Sequence, residues 1–174
     1  TDSCQQVATK LTSSAAFSLN VRAFLLVKDS IAFCSSATGP MNTPIQELMP
    51  SININHDIDV ALLPGTPMVP DKPAIMIWYR HPALPNSGVF SSLNINLAPY
   101  LLYTARQDDF DGIAIIVGKT AISTFSAHLI PVSDLPDAST PRQATIDGLP
   151  VTVRLYAEEW TYNDIWYSLM LGCM

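Results

Sequence analysis

NVRAFLLVKDSIAFCSSATGP, residues Asn20 to Pro40, reads as a β-hairpin that ends on a thiol. Val21 to Val27 is an apolar run rich in β-branched and aromatic side chains, with the length of a strand buried on both faces. Lys28-Asp29-Ser30 is a polar interruption of hairpin length, and Ile31 to Cys34 resumes the strand. Gly39-Pro40 is a stop signal. The hairpin therefore holds Cys34 at a defined place beside the hydroxyls of Ser35 and Ser36.

The residues upstream, TDSCQQVATKLTSSAAF, carry a partner for that hairpin. Cys4, Val7, Ala8, Leu11 and Ala15 follow the three-and-four spacing of a helix with one apolar stripe, and Gln5, Gln6, Thr9 and Lys10 face away. Asp2 or Ser3 is placed to cap its start. Such a helix of about 15 residues spans ~22 Å, and a reversal at Ser18 to Asn20 returns the chain alongside it. Cys4 points into whatever the helix packs on. The height of Cys34 against Cys4 is not fixed by this geometry, so free buried thiols and a bond both stand as readings. Cys173, beside the end of the sequence, reads as free.

A helix with a cysteine, followed thirty residues later by a strand ending in Cys-Ser-Ser and then a glycine, resembles the CSS-motif domain. That domain is the periplasmic sensory module of membrane-anchored bacterial cyclic-di-GMP phosphodiesterases of the EAL type. The matching positions are Cys4, Leu26, Val27, Cys34, Ser35, Ser36 and Gly39, all in the N-terminal third. The resemblance implies a redox-sensitive disulfide between Cys4 and Cys34 in a single extracytoplasmic domain, residues 1–174, held between two transmembrane helices. It implies as partners the periplasmic thiol-oxidising machinery, proteases, the flanking membrane helices and a second copy in a homodimer. A bridge closing this loop would stabilise the fold by about 3.7 kcal/mol on the chain-entropy argument. That is a large share of a typical total of ~5–15 kcal/mol.

Composition bounds the remaining readings. The 174 residues suit one domain with a real core. Charged residues are 14% and the net charge is −6, with the nine Lys and Arg scattered singly. That distribution argues against nucleic acid and anionic membrane surfaces as partners, because both need clustered cations. No run reaches the ~20 apolar residues of a membrane span. The abrupt start and the apolar ending IWYSLMLGCM read as a segment excised from a longer membrane protein.

The rest of the chain reads as mixed α and β. Thr43-Pro44 caps a short helix through Met49. Ile52 to Leu62 alternates as a half-exposed strand interrupted at His56. Strands are expected at Ala74–Tyr79, Val89–Ile95, Gly112–Gly118, Thr120–Ser126, Arg142–Ile146 and Leu149–Tyr156, the last two joined at Asp147-Gly148. A helix is expected from Asn96 to Gln107, a solvated turn at Asp108 to Asp111, and a helix over WTYNDIWYSLML. The expectation is an α+β fold, an antiparallel sheet with a long N-terminal helix and additional helices. This resembles the Cache-like extracytoplasmic sensor architecture.

Four other chemistries are present as fragments. Cys34 with His128 would make a cysteine hydrolase, but no transferable signature joins them. His56-Asp57 lacks the further ligands of a metallophosphohydrolase, and CxxC spacing for zinc is missing. The glycines form no phosphate-binding loop. Trp78, Tyr79, Arg80 and His81 are a candidate ligand pocket, aromatics with a few polar groups, or else a strand end packed in the core. The reading is a non-catalytic periplasmic redox sensor without a cofactor, whose parent degrades cyclic-di-GMP. A Cache-like small-molecule-binding module with a purely structural disulfide is the alternative, and a secreted adhesive domain a third class.

Overall fold

The computed structural model describes residues 2–16, 20–66, 69–95, 110–137 and 142–157. Helix α1 (Asp2–Ala16) is followed by strands β1 (Val21–Lys28), β2 (Ile31–Ser35) and β3 (Gly39–Pro44), and by a one-turn helix α2 (Ile45–Leu48). Strands β4 (Ile58–Leu63), β5 (Ala74–Arg80) and β6 (Gly88–Asn94) complete a six-stranded sheet of order β3-β2-β1-β6-β5-β4. A second, five-stranded sheet has the order β10-β11-β7-β8-β9. It is built from β7 (Phe110–Val117), β8 (Thr120–Ser123), β9 (Ser126–Pro131), β10 (Arg142–Thr145) and β11 (Thr152–Ala157). Every pairing is antiparallel. Edge strand β4 lies near β7 and β8.

The β1–β2 hairpin forms as its sequence predicts, with Lys28 opposite Ile31 and a two-residue turn. Asp29 and Ser30 both adopt positive φ, 51° and 66°, the mirror-image geometry that matches the twist of the strands. The β5–β6 loop holds this turn: the Asp29 N–H donates to the Ser87 hydroxyl at 3.1 Å, and the Ser30 N–H to the Asn86 carbonyl at 2.8 Å.

The core of the first sheet lies on one face. Val27, Ala32, Ala61, Met76, Trp78 and Phe90 pack there under Ile45, Met49 and Ile52, which come from α2 and the loop after it. Trp78 is fully buried, 4.7 Å from Phe90 between ring centroids, and its Nε1–H is shared between the Ile54 and His56 carbonyls. The ring lies across Gly88, where a Cβ would stand 2.5 Å from it and 2.2 Å from the Tyr79 carbonyl oxygen. The second sheet repeats the device, with the Phe125 ring across Gly112 and edge-on to Tyr156 at 4.9 Å. Its smaller core joins Ala114, Ile116, Ala121, Leu135 and Tyr156.

Several expectations need correction. Two sheets take the place of one. Gly39-Pro40 opens a strand, β3, instead of ending the structure, because an edge strand tolerates prolines. Thr43 and Pro44 belong to that strand, and the helix after them is one turn with no side-chain cap. The strand expected from Ile52 begins only at Ile58. Asn53 accepts the Asn55 N–H on its side chain, and Asp59 accepts the Asn53 N–H, so polar side chains satisfy the backbone locally. Phe110 and Asp111 start β7, and Ser126 starts an unforeseen strand, β9. The β10–β11 hairpin is present, with Gly148 at φ 77°. The helices expected at 96–107 and over the last aromatic segment lie outside the described residues. Among the described residues no helix is long and apolar enough to cross a membrane.

Gly88→Ala tests the packing of the first sheet. Its methyl group has nowhere to go between the Trp78 ring and strand β5, so urea denaturation should show a loss of about 1–3 kcal/mol.

Candidate functional site: the disulfide and its turn

Strand β2 carries Cys34, and a register shift aims it. Val27 of β1 pairs with Ala32, but Leu26 pairs with Cys34, so Phe33 is passed over in the β1–β2 ladder. Side chains of successive residues on β1 alternate between faces, and residues directly opposite across a ladder share one. Ala32 therefore joins Val27 in the core, whereas Cys34 joins Leu26 on the other face. Without the bulge, Ala32 and Cys34 would share the core face. The bulge turns the sulfur toward α1, where Cys4 and Cys34 form a disulfide with a Cα–Cα distance of 5.2 Å. Both cysteines are buried, at 1% and 0% exposure.

The other motif residues build the turn that follows. The Ser35 hydroxyl accepts the N–H groups of Ala37 at 3.1 Å and Thr38 at 3.3 Å, a side-chain turn of the kind serine favours. Ser36 is tied to β1 twice: its hydroxyl accepts the Phe24 N–H at 2.9 Å, and its own N–H donates to the Phe24 carbonyl at 2.9 Å. Gly39 has φ 78°, a left-handed conformation that a Cβ disfavours. The two serines thus act on the backbone around the bridge and make no hydrogen bond to its sulfur.

Helix α1 rests on β1, β2 and β3. Its stripe is as the spacing predicts, but only Cys4 is fully buried; Val7, Ala8, Leu11 and Ala15 are half-buried. Thr12 adds a second link, its hydroxyl donating to the Ser36 carbonyl at 3.3 Å. A fully buried Val or Leu contributes ~1.5–3 kcal/mol, so two half-buried ones give a weak clamp. The bridge is accordingly the firm attachment of α1.

Trp78, Tyr79, Arg80 and His81 are not brought together as a pocket. Strand alternation buries Trp78 in the core and leaves Tyr79 49% exposed. Arg80 pairs with Asp57 at the surface, and His81 Nδ1 accepts the Ala83 and Leu84 N–H groups. Cys34 is committed to the disulfide in the first sheet and His128 lies on β9 of the second, so they form no dyad. His56 contacts Asn53.

The structure also contains a cavity of about 130 Å³ on the core face, lined by Leu25, Met41, Met49, Met76 and Phe90 and by the motif turn at Ser35, Ala37 and Thr38. Arg22 stands at it, donating to the Lys72 and Pro73 carbonyls at 2.9 Å each and to Asn94. Desolvation lowers its pKa from the ordinary value, though a guanidinium stays charged. The one cation inside the apolar run VRAFLLV was the visible signal for this position. Nothing in the sequence marked the Phe33 bulge or Thr12.

A family model for the CSS motif domain associated with EAL matches residues 1–170. The chain belongs to the CSS-motif domain family. It is 58% identical over 173 residues to the probable cyclic di-GMP phosphodiesterase PdeN of Escherichia coli (strain K12), covering 99% of this chain and 33% of that protein. It is 24% identical over 157 residues to the probable cyclic di-GMP phosphodiesterase PdeD of the same organism, covering 87% of this chain and 28% of that one. The chain thus spans about a third of the length of these curated relatives.

Ser36→Ala separates a turn-building serine from one that serves sulfur chemistry. It leaves the Phe24 N–H without its side-chain acceptor and should cost about 1 kcal/mol. The loss should be the same in oxidised and reduced protein, measured by denaturation, with the number of reactive thiols unchanged.

Proposed function

We propose that this CSS-motif domain is a non-catalytic periplasmic redox sensor controlling a cyclic-di-GMP phosphodiesterase to which it is joined. The observation that carries the reading is the buried Cys4–Cys34 bridge, which fastens a weakly packed helix to the sheet. Such a bond persists in oxidising compartments, which supports a periplasmic position. The association of the family with EAL and the names of both relatives support the output. On this reading α1 continues into a membrane helix, and the oxidised domain restrains the enzyme. A helix laid on an antiparallel sheet, with a second sheet after it, supports the Cache-like sensor architecture.

The switch follows from the energetics. Breaking the bridge removes about 3.7 kcal/mol of chain-entropy stabilisation, and α1 is then held by half-buried Val7 and Leu11 and by the Thr12 hydroxyl. The helix is released to shift against the sheet or to be cut by a periplasmic protease. Thiol-oxidising enzymes would set the state, and a second copy of the domain would relay it across a homodimer.

The parent protein in membranes provides the test. Reductant should raise its phosphodiesterase activity severalfold, and Cys4→Ser should show the raised level without responding to reductant. Activity that responds to reductant equally in wild type and Cys4→Ser would sink the redox reading. A second measurement concerns the isolated chain: labelling of denatured, unreduced protein should find one reactive thiol, Cys173, and three would remove the bridge from the account.

A further inference from the structure

The β5–β6 loop, His81 to Ser87, is held shut by a ring nitrogen. Proline carries no N–H, so from Pro82 to Pro85 the backbone offers only the donors of Ala83 and Leu84. Both of them donate to Nδ1 of His81, each at 3.1 Å. A ring nitrogen that accepts two N–H groups holds a lone pair and no proton, so the closed loop requires the neutral imidazole with its hydrogen on Nε2. His81 is exposed, so water and protons reach it. Among the described residues no carboxylate hydrogen-bonds the ring to hold it as an imidazolium.

The closed loop braces the hairpin that carries Cys34. The His81 backbone N–H donates to the Ser87 carbonyl at 2.7 Å and closes the base of the loop. The Ser87 hydroxyl donates to the Pro85 carbonyl at 3.0 Å and accepts the Asp29 N–H at 3.1 Å. Asn86, at φ 49°, offers its carbonyl to the Ser30 N–H at 2.8 Å, and the Ser30 carbonyl accepts the Ile45 N–H at 2.9 Å. One run of hydrogen bonds thus joins the ring, the β1–β2 turn and the start of α2. The charged groups at this end of the sheet are Arg80 in its pair with Asp57, Asp59 on β4, and Lys28 and Asp29 of the hairpin. The Asp59 carboxylate is taken up by the Asn53 and Val60 N–H groups. His56 stands beside Asp57 with a separate partner: Asn53 Oδ1 accepts the Asn55 N–H, which leaves its amide nitrogen facing His56 Nε2 at 3.2 Å.

We propose that His81 is a pH-sensitive latch: its neutral ring closes the β5–β6 loop on the β1–β2 turn, and protonation at Nδ1 opens it. An imidazolium has a proton on both nitrogens and accepts nothing, so charging the ring sets a third N–H against those of Ala83 and Leu84. The open loop therefore takes up a proton that the closed loop excludes, and closure is lost as pH falls. Histidine is the side chain that changes charge between about pH 5 and 8. In acid the turn loses its brace while the ladders of β1 with β2 and β6 remain. The latch does not rest on the redox reading, because it acts on the hairpin turn whether or not the bridge controls an enzyme.

NMR of the 15N-labelled 174-residue chain in its oxidised form reads both parts of the latch. At about pH 8 the imidazole nitrogen shifts of His81 should show Nδ1 without a proton. Between about pH 8 and pH 5 the exchange of the Asp29 and Ser30 amides, corrected for the intrinsic rate at each pH, should speed up. The expected change is about fivefold, the equilibrium worth of one net hydrogen bond, with the amides of β5 and β6 keeping their protection. His81→Asn, whose Oδ1 accepts N–H groups and does not titrate, should hold the turn closed throughout. His81→Ala should show the fast exchange at both ends of the range, and His56→Asn should leave the response of Ser30 intact. A proton on Nδ1 of the neutral ring would overturn the proposal. So would a pH response at Ser30 that persists in His81→Asn, disappears in His56→Asn, or is matched by equal loss across β5 and β6.

Discussion

The bond between Cys4 and Cys34 is the constraint on which the N-terminal third of this domain depends. It joins two elements that have little other hold on one another. The helix presents a stripe of which only Cys4 is fully covered. The sheet, by contrast, has its own core around Trp78 and Phe90. The oxidised domain is therefore a stable sheet with a helix fastened to it by one covalent tie.

The Cys-Ser-Ser motif is best understood as the geometry that makes this tie available. The bulge at Phe33 lets β2 give Ala32 to the core and, two residues later, Cys34 to the opposite face. Ser35 then closes the turn, Ser36 fastens it to β1 and Gly39 supplies the left-handed backbone that opens β3. Ser36 also receives Thr12 from the helix, so the same turn that positions the sulfur contributes the second contact. On the other face, the turn walls the cavity.

The parts of this arrangement that were legible in the sequence are those governed by local pattern. Alternation and turn chemistry placed β1, β2, β5, β6 and the hairpins at Gly118 and Gly148, and helical spacing placed the stripe from Cys4 to Ala15. Long-range pairing was not legible. Pro40 and Pro44 look like strand breakers until β3 is known to lie at a sheet edge, and Ile52 and Ile54 look like a strand until Asn53 and Asp59 are seen capturing backbone N–H groups. The height of Cys34 against Cys4 depends on a bulge that no residue type announces, so its pairing came from family resemblance. The aromatic cluster at Trp78 was legible as a strand end, but which faces its residues took was decided by the register with β6.

Hydrogen exchange compared between oxidised and reduced protein tests most directly the claim that the bridge clamps the helix to an independently stable sheet. Reduction should abolish protection first between Cys4 and Ala16 while the amides of β5, β6 and the β7–β8 hairpin keep theirs. Simultaneous loss of protection in α1 and in Ile113–Val117 would contradict it, because the bond would then be holding the whole fold and not the helix alone.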